Sequence, residues 1–449
     1  MLPRDIEKLI LRLRERGISA FVVGGAVRDI ITGKEPWDYD IAAECLPHEL
    51  VSAFSDHSTI DIGLRFGTLT VHSGERNVEI TCCRKESGYS DCRRPDSVEY
   101  CRSIENDLAR RDFTMNAMAM TLEGEIIDPF GGRDDLKGSI IRCVGDPVRR
   151  FTEDALRITR ALRFASCLGF KTEKKTEEAL FRCLPLITEV SGERTFTELK
   201  KLLLGKDVLR VLMDYSSAVC TIIPELSRCV GFEQRNHHHV YTVYEHIARS
   251  VAASIPDINV RLCMLLHDVA KPQSFTVDEK GVGHFYGHPA VSESMAREIL
   301  LRLKADRETV QKVCFLIRYH DTRPSATKKS IHKYLSKVGF ENGLTLVDVR
   351  RADLSAQSPA YFDQFEYLDE SERIIKELQS EGACISVQDL KISGNELIDL
   401  GIPRGREIGE TLTRLLDSVI TGQIENTPGD LMKLAKRIAN DPGKRKHRP

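Results

Sequence analysis

The sequence has almost no net charge: 65 Lys and Arg against 67 Asp and Glu leave a formal charge of −2. A chain so near neutrality exerts no long-range pull on a polyanion, so any nucleic-acid binding must use a local basic face. It also lacks an apolar run long enough to span a bilayer. The opening "MLPRDIEKLI" puts charges where a secretory signal would be apolar, so none is expected. The 13 cysteines include no CxxC pair, and only Cys82 and Cys83 are adjacent. That odd, irregular set fits a reducing cytoplasm rather than a disulfide framework or a structural zinc site. Repeats and low-complexity segments are absent. At about 150 residues per domain, the length suggests about three domains.

What is present begins with short alternating elements. Residues 4–16 carry Ile6, Leu9, Ile10 and Leu13 at helical spacing, ended by Gly17. "AFVVGG" reads as a buried strand running into a turn, and "VRDIITG" as a helix capped by Gly33. "DYDIA", "GTLTV" and "VEITCC" read as strands, the last two joined by the hairpin turn "HSGERN". From about Asp146 onward the strand signals vanish and helical patterns continue. The tail "GKRKHRP" is basic and reads as a solvated terminus.

Asp38 and Asp40 sit one residue apart in "DYDIA". In a strand, positions i and i+2 share a face, so the two carboxylates project side by side. Such a pair repels itself unless a cation lies between its members. Mg²⁺ suits the pair, since it takes oxygen ligands and often one or two carboxylates plus substrate phosphates. Gly24 and Gly25 let backbone N–H groups approach a polyphosphate. Arg28, on the first turn of the following helix, can clamp phosphate oxygens. Glu79, in the alternating "VEITC", is a candidate third carboxylate. Together these parts suit two-metal attack of a hydroxyl on an α-phosphate.

"GGAVRD…DYDIA" resembles the signature of class II nucleotidyltransferases, which include CCA-adding tRNA nucleotidyltransferases and bacterial poly(A) polymerases. "GLRFGTLTV" (63–71), "RRDFTMNAMA" (110–119), "DPFGGRDDLKGSIIRCVGDPVRRFTEDALRITRALRFA" (128–165) and "ERTFTEL" (193–199) are similar to the family's further motifs, in order. The resemblance implies that Arg111 and Asp112 hold the ribose and phosphates of the incoming nucleotide and that Asn116 supports the site. Asp154 and Arg157, at i and i+3 in "TEDALRITRALRFA", offer an acceptor and a fork of donors. An Asp can accept from the exocyclic amine of cytosine or adenine while the Arg donates to a ring nitrogen. Guanine and uracil present the opposite pattern. The family's base-reading helix has this pattern, and Arg160 and Arg163 are then expected to hold the triphosphate or the RNA end.

The charged segment 86–111 looks like the loop with which CCA-adding enzymes switch from C to A, its "DxRRP" core being Asp91, Arg93, Arg94 and Pro95. Cys92 stands where the family favours glycine, and "TCCR" (81–84) departs from a commoner Thr-Phe pair.

A second set lies in mid-chain: His246, His267, Asp268, His288, His320 and Asp353. An adjacent His-Asp pair on an apolar helix is costly to bury without a cation, and this donor set suits Mn²⁺, Fe, Ni²⁺ or Zn²⁺. The order resembles an HD-type metal phosphohydrolase domain. That resemblance implies His246, His267, Asp268 and Asp353 as core ligands, with His288 and His320 able to build a second metal position.

The expected fold is α+β: a small mixed or antiparallel-sheet nucleotidyltransferase head (1–142), a helical neck (143–230), an HD region (231–360) and a helical body and tail (361–449). The expected activity is template-free addition of CCA to the tRNA 3′ end from CTP and ATP, in the cytoplasm, with Mg²⁺ in the head and no membrane partner. An A-adding enzyme or a poly(A) polymerase shares the same head motifs. An HD phosphohydrolase with a merely RNA-binding head is the alternative from another class; the repelling Asp38–Asp40 pair, of no use to a binding module, speaks against it.

Overall fold

The computed structural model of the chain describes residues 2–60, 63–74, 76–88 and 97–440. The "DxRRP" core and the basic tail lie outside the described residues. The chain forms two compact units: residues 1–227 with 299–305, and residues 228–298 with 306–449.

The first unit opens with helix α1 (Arg4–Glu15), which buries the Ile6, Leu9, Ile10 and Leu13 stripe. Strand β1 (Ala20–Val23) runs into helix α2 (Gly25–Ile31) through Gly24, whose φ of 72° is open to glycine at little cost. Strands β2 (Asp40–Ala43), β3 (Thr59–Ile60), β4 (Thr68–Ser73), β5 (Arg76–Cys82), β8 (Ala119–Met120) and β9 (Ile126–Ile127) join β1 in a seven-stranded sheet of order β3-β4-β5-β2-β1-β8-β9. Between β5 and β8 the chain makes a separate hairpin, β6 (Arg84–Ser87) with β7 (Ser97–Tyr100). The main sheet is mixed, since β2 runs parallel to β5 and its other ladders are antiparallel. This register sets Val23 and Glu79 on either side of Asp40. Ile41, Ala42 and Ala43 are buried, as the centre of a covered sheet requires, while Asp40 opens outward at the strand's start. Val23, Ala42, Cys83, Leu108, Ala117, Ala119 and Val144 form the core behind it.

Helices α3 (Pro47–Ala53), α4 (Ile104–Ala109) and α5 (Gly132–Gly138) surround this sheet, and α6 (Pro147–Glu153), α7 (Leu156–Leu168), α8 (Lys174–Cys183), α9 (Gly192–Leu203), α10 (Val208–Asp214) and α11 (Ser216–Ile222) complete the unit. Two expectations need correction. Asp38 precedes β2 instead of lying in it. "TEDALRITRALRFA" is not one helix: Asp154 is extended (φ −146°, ψ 103°) and separates α6 from α7. Short two-residue ladders also occur beyond residue 139, at 140–141 with 171–172 and at 276–277 with 283–284.

The second unit is helical: α12 (Val243–Ala253), α13 (Ile258–Leu266), α14 (His288–Arg302, whose residues from 299 on belong to the first unit), α15 (Arg307–Tyr319), α16 (Lys328–Val338), α17 (Phe340–Ser355), α18 (Gln364–Ser380), α19 (Gly394–Asp399), α20 (Arg406–Ile420) and α21 (Pro428–Ala439). A C-terminal core gathers Leu397, Leu415, Leu431 and Ala435, all fully buried. No helix among the described residues is long and apolar enough to cross a membrane.

Candidate functional site

The first unit holds a cavity of about 450 Å³ lined by Gly24, Gly25, Asp38, Asp40, Asp112, Asn116, Asp154 and Phe164 together with seven arginines: Arg28, Arg110, Arg111, Arg157, Arg160, Arg163 and Arg194. The near-neutral chain therefore concentrates its positive charge locally. The volume suits a nucleotide-sized ligand.

At one wall the glycine turn lies against the carboxylates. A Cβ on Gly24 would sit 3.0 Å from Arg111 Nη1 and 3.9 Å from Asp40 Oδ2, so a side chain here would crowd Arg111 at a backbone φ that favours glycine. Burial and the neighbouring Asp38 charge raise the Asp40 pKa to about 6; Arg111 opposes the shift and Glu79 adds to it. Glu79 faces solvent on the adjoining strand rather than the cavity. The carboxylate group is thus a site of uncompensated negative charge, and its all-oxygen donors fit a hard divalent cation.

The rest of the wall is a relay of ion pairs. Arg28 donates to Asn116 Oδ1 at 2.9 Å, and Asn116 Nδ2 donates to Asp112 Oδ1 at 3.3 Å. Asp112 also accepts from the Phe113 N–H and from Arg160 Nε, both at 2.8 Å, with Arg160 Nη2 in an ion pair at 2.6 Å. Burial opposes its ionisation, but the Arg160 and Arg157 charges outweigh that and hold its pKa at about 2. Arg163 Nε lies 2.9 Å from Glu198, and its guanidinium stacks 4.0 Å over the Phe164 ring. Arg28 and Arg160 approach the same ring at 5.5 and 5.6 Å. Arg111 is steered by Asp107, at 3.1 Å. Every nucleotide-site residue read from the sequence lines this cavity.

The expected base-reading pair is not bonded to itself. The Asp154 carboxylate is forked by Arg194, at 2.9 and 3.3 Å. Arg157 Nη1 donates to the Arg150 carbonyl and to Glu153, both at 2.9 Å, and Nη2 to the Arg110 carbonyl at 3.0 Å. Its Nε–H and one Nη2–H have no protein partner among the described residues. Arg110, Phe164 and Arg194 were not singled out from the sequence. Arg194 lies inside the quoted "ERTFTEL", which is the one signal that could have found it.

In the second unit, His246 on α12, His267 at the end of α13, the following Asp268, His288 at the start of α14, His320 at the end of α15 and Asp353 on α17 converge, all buried. His246 Nε2 lies 3.3 Å from His267 Nε2, 3.3 Å from Asp268 Oδ2 and 3.0 Å from Asp353 Oδ1. His288 Nε2 lies 3.2 Å from Asp268 Oδ1 and 3.4 Å from His320 Nε2. Each imidazole donates its Nδ1 proton to a main-chain carbonyl: His246 to Ala356, His267 to Met264, His288 to Phe285 and His320 to Ile317, at 2.7–3.0 Å. Those bonds fix Nδ1 as the donor of each ring and turn every Nε2 toward Asp268. Burial opposes charge on His267, yet Asp268 and Asp353 raise its pKa to about 10, while burial and His267 push His320 down to about 3. Two ligand triads emerge, His246–His267–Asp268 and Asp268–His288–His320, sharing Asp268. Four imidazoles with bonded Nδ1 atoms and two carboxylates form a donor set in which each triad could hold a metal ion. Lys271, whose Nζ is 2.7 Å from Asp268 Oδ2, was not anticipated.

The comparisons follow the two units. A family model described as the poly A polymerase head domain matches residues 20–142, and one for an RNA- and SrmB-binding site of polymerase A matches 169–229. A third, for tRNA nucleotidyltransferase domain 2, matches 284–435. The chain is 33% identical over 438 residues to a CCA-adding enzyme of Leuconostoc mesenteroides, covering 97% of both chains. It is 32% identical to that of a Geobacillus strain, covering 93% of each. The crystal structure of the Bacillus stearothermophilus CCA-adding enzyme in complex with CTP matches with a TM-score of 0.74 at 29% identity, over 99% of this chain and 100% of that one. Kinship along nearly the whole length, with the glycine turn, the carboxylate pair and the arginine wall assembled in one head, shows that the chain belongs to the class II CCA-adding enzyme family.

Proposed function

We infer that the chain extends the 3′ end of tRNA with CCA, taking CTP and ATP without a nucleic-acid template. The carrying observation is the head cavity, where Asp38 and Asp40, the latter with a raised pKa, meet seven arginines. When bound, Mg²⁺ would be held by Asp38 and Asp40 and would supply Lewis-acid activation of the hydroxyl and charge neutralisation at the pyrophosphate. The chain's own residues do the rest. The Gly24–Gly25 turn lets the triphosphate close on the backbone. Arg28, Arg111, Arg160 and Arg163 neutralise the phosphates, and Asp112 and Asn116 fix Arg28 and Arg160 in place. Glu79 adds negative charge beside Asp40 and keeps cation affinity high. In the transfer step the tRNA 3′-oxygen bonds to the α-phosphorus, the bond to pyrophosphate breaks, and the hydroxyl proton passes to water.

Base choice follows from hydrogen-bond polarity. Asp154, oriented by Arg194, accepts from the amine of C or A, and the open N–H groups of Arg157 donate to the ring nitrogen beside it. Guanine and uracil would set a carbonyl against Asp154 and leave buried groups unmatched. The head (1–142) and neck (143–230) supply this site. The HD region (231–360) and body (361–449) form the remainder. Free thiols at every described cysteine support a reducing, cytoplasmic setting.

The test uses tRNA transcripts ending before CCA, after C and after CC, each with single nucleotides and with CTP plus ATP. Addition of C, C and A followed by a stop is expected. A added only to the CC end would indicate an A-adding enzyme, and long A tails a poly(A) polymerase.

The His–Asp cluster favours a second reading: an HD-type metal phosphohydrolase using His246, His267, Asp268 and Asp353, with His288 and His320 completing a second position. A transition metal held there would supply Lewis-acid chemistry for phosphoester hydrolysis. Elemental analysis of the purified protein, and of Asp268→Asn, tests it: bound Mn, Fe, Ni or Zn is expected, lowered more than about tenfold in the variant. A metal-free wild type that gains no phosphodiesterase activity on adding these ions would overturn it.

A further inference from the structure

Trp37 is the single tryptophan of the chain and is 95% exposed, more than any other large hydrophobic side chain described. It directly precedes Asp38. The ring lines a groove of about 640 Å³ with Glu35, Pro36, Tyr39, Arg76 and Asn77. Asp38 lines this groove and also the arginine cavity, and no other described residue lines both. The carboxylate is therefore a party wall between two compartments of different chemistry.

The chemistry of nucleotidyl transfer distinguishes the two sides. The attacking hydroxyl and the leaving pyrophosphate lie in line, on opposite sides of the α-phosphorus. On the reading proposed above, the arginine cavity takes the triphosphate and is the pyrophosphate side. The hydroxyl must then arrive from across the carboxylates, where the groove lies. The groove carries what a single-stranded RNA end needs: an open aromatic face, a cation and an amide. Arg76 is the cation. Its side chain is 40% exposed, and its guanidinium lies 5.7 Å from the Tyr39 ring and 3.7 Å from Asp5. Asn77 is exposed beside it. Tyr39 is buried and so forms the floor, which leaves Trp37 as the stacking surface.

We propose that Trp37 stacks on a base of the tRNA 3′ end and so delivers the terminal hydroxyl to Asp38 and Asp40, with Arg76 meeting the adjoining phosphate. Stacking on every base is sequence-tolerant, as a growing end that changes from C to CC requires. The proposal rests on reading the head cavity as the nucleotidyl-transfer site; extension by the wild type in the same assay establishes that reading separately.

The experiment has two parts. Indole fluorescence of the full chain, which reports Trp37 alone, is followed while a transcript ending in CC is added. Quenching by the transcript, and none by ATP alone, is expected. ATP incorporation is then measured for wild type, Trp37→Ala and Trp37→Phe. Trp37→Ala is expected to raise KM for the transcript about tenfold, within the range of base–aromatic stacking. The effect falls on KM for RNA rather than on kcat or KM for ATP, and Trp37→Phe restores most of it. An exposed ring contributes nothing to the core, so the melting temperature stays constant and a folding defect is excluded. An unchanged KM for the transcript with an active wild type would overturn the proposal. So would a concentration-dependent self-association that Trp37→Ala abolishes, which would assign the ring to a second copy of the chain.

Discussion

Replacing Asp38 with asparagine should make the metal-free protein more stable while destroying its activity. The Asp40 pKa stands at about 6 against a reference of 3.8. A shift of about 2 units corresponds to ~3 kcal/mol. Asp40 opens to water at the start of its strand, and screening there reduces the figure to about 1 kcal/mol. Burial is the larger cause and the Asp38 charge the second, so Asp38→Asn recovers part of that, roughly 0.5 kcal/mol. The sign follows from proton counting. The folded state keeps the Asp40 proton up to about pH 6, whereas the unfolded chain releases it near 3.8. The contribution is most favourable below pH 3.8, falls as pH rises through 6, and is fully unfavourable above that. Calorimetry in chelator should therefore show Asp38→Asn melting about 1–2 °C above wild type near pH 7.5, with the gap closing near pH 4.5. Added Mg²⁺ should stabilise wild type and not the variant. Extension should fall by about 10³-fold or more, several kcal/mol of lost charge stabilisation. A variant less stable than wild type in chelator at neutral pH, or a gap that does not change with pH, would refute the reasoning.

Gly24→Ala puts a Cβ 3.0 Å from Arg111 Nη1 at a φ of +72°. It should cost about 1–2 kcal/mol of stability and lower kcat/KM for CTP and ATP alike by about 10- to 100-fold in steady-state assays. Asp112→Ala leaves Arg160 without the carboxylate 2.6 Å away and should cost about 3 kcal/mol in chemical denaturation. Because the Asp112 pKa is depressed to about 2 from 3.8, its contribution is full above pH 3.8 and disappears as pH falls through 2. Asp154→Ala removes the acceptor proposed to pair with the exocyclic amine of C or A and should narrow the preference for CTP over UTP by about 10²-fold, read from competing incorporation.

Residues whose role depends on local spacing were legible in the sequence. The Gly24–Gly25 turn, the Asp38–Asp40 pair and the strands around them follow from turn chemistry and period-2 alternation. The two carboxylates do come together, although Asp38 lies before the strand and the shared-face argument does not apply to it as stated. The break at Asp154 was hidden because "EDALR" continues a helical pattern; the extended backbone there goes with the Arg194 fork. Arg194 lies 40 residues from Asp154, a distance over which periodicity carries no information. Phe164 reads as one more apolar helix residue; Arg160 and Arg163 reach its ring from the same helix, and only the tertiary fold adds Arg28. The His–Asp set was readable as types in order; the carbonyls that orient His267, His288 and His320 lie three residues before each ring and Lys271 three after Asp268, whereas the Ala356 carbonyl that orients His246 is brought there only by packing between helices. Trp37 gave no pattern at all; its exposure, not its neighbours in sequence, marks it.

The most direct measurement is sequencing of product 3′ ends. A tRNA transcript lacking CCA would be incubated with all four nucleotides at equal concentration and Mg²⁺, using wild type and Asp40→Asn. The expected result is termini that read C, C and A and then stop, with none made by the variant. Termini of A alone, tails continuing beyond three residues, or extension by Asp40→Asn equal to that of wild type would contradict the assignment of the head cavity as a CCA-adding site.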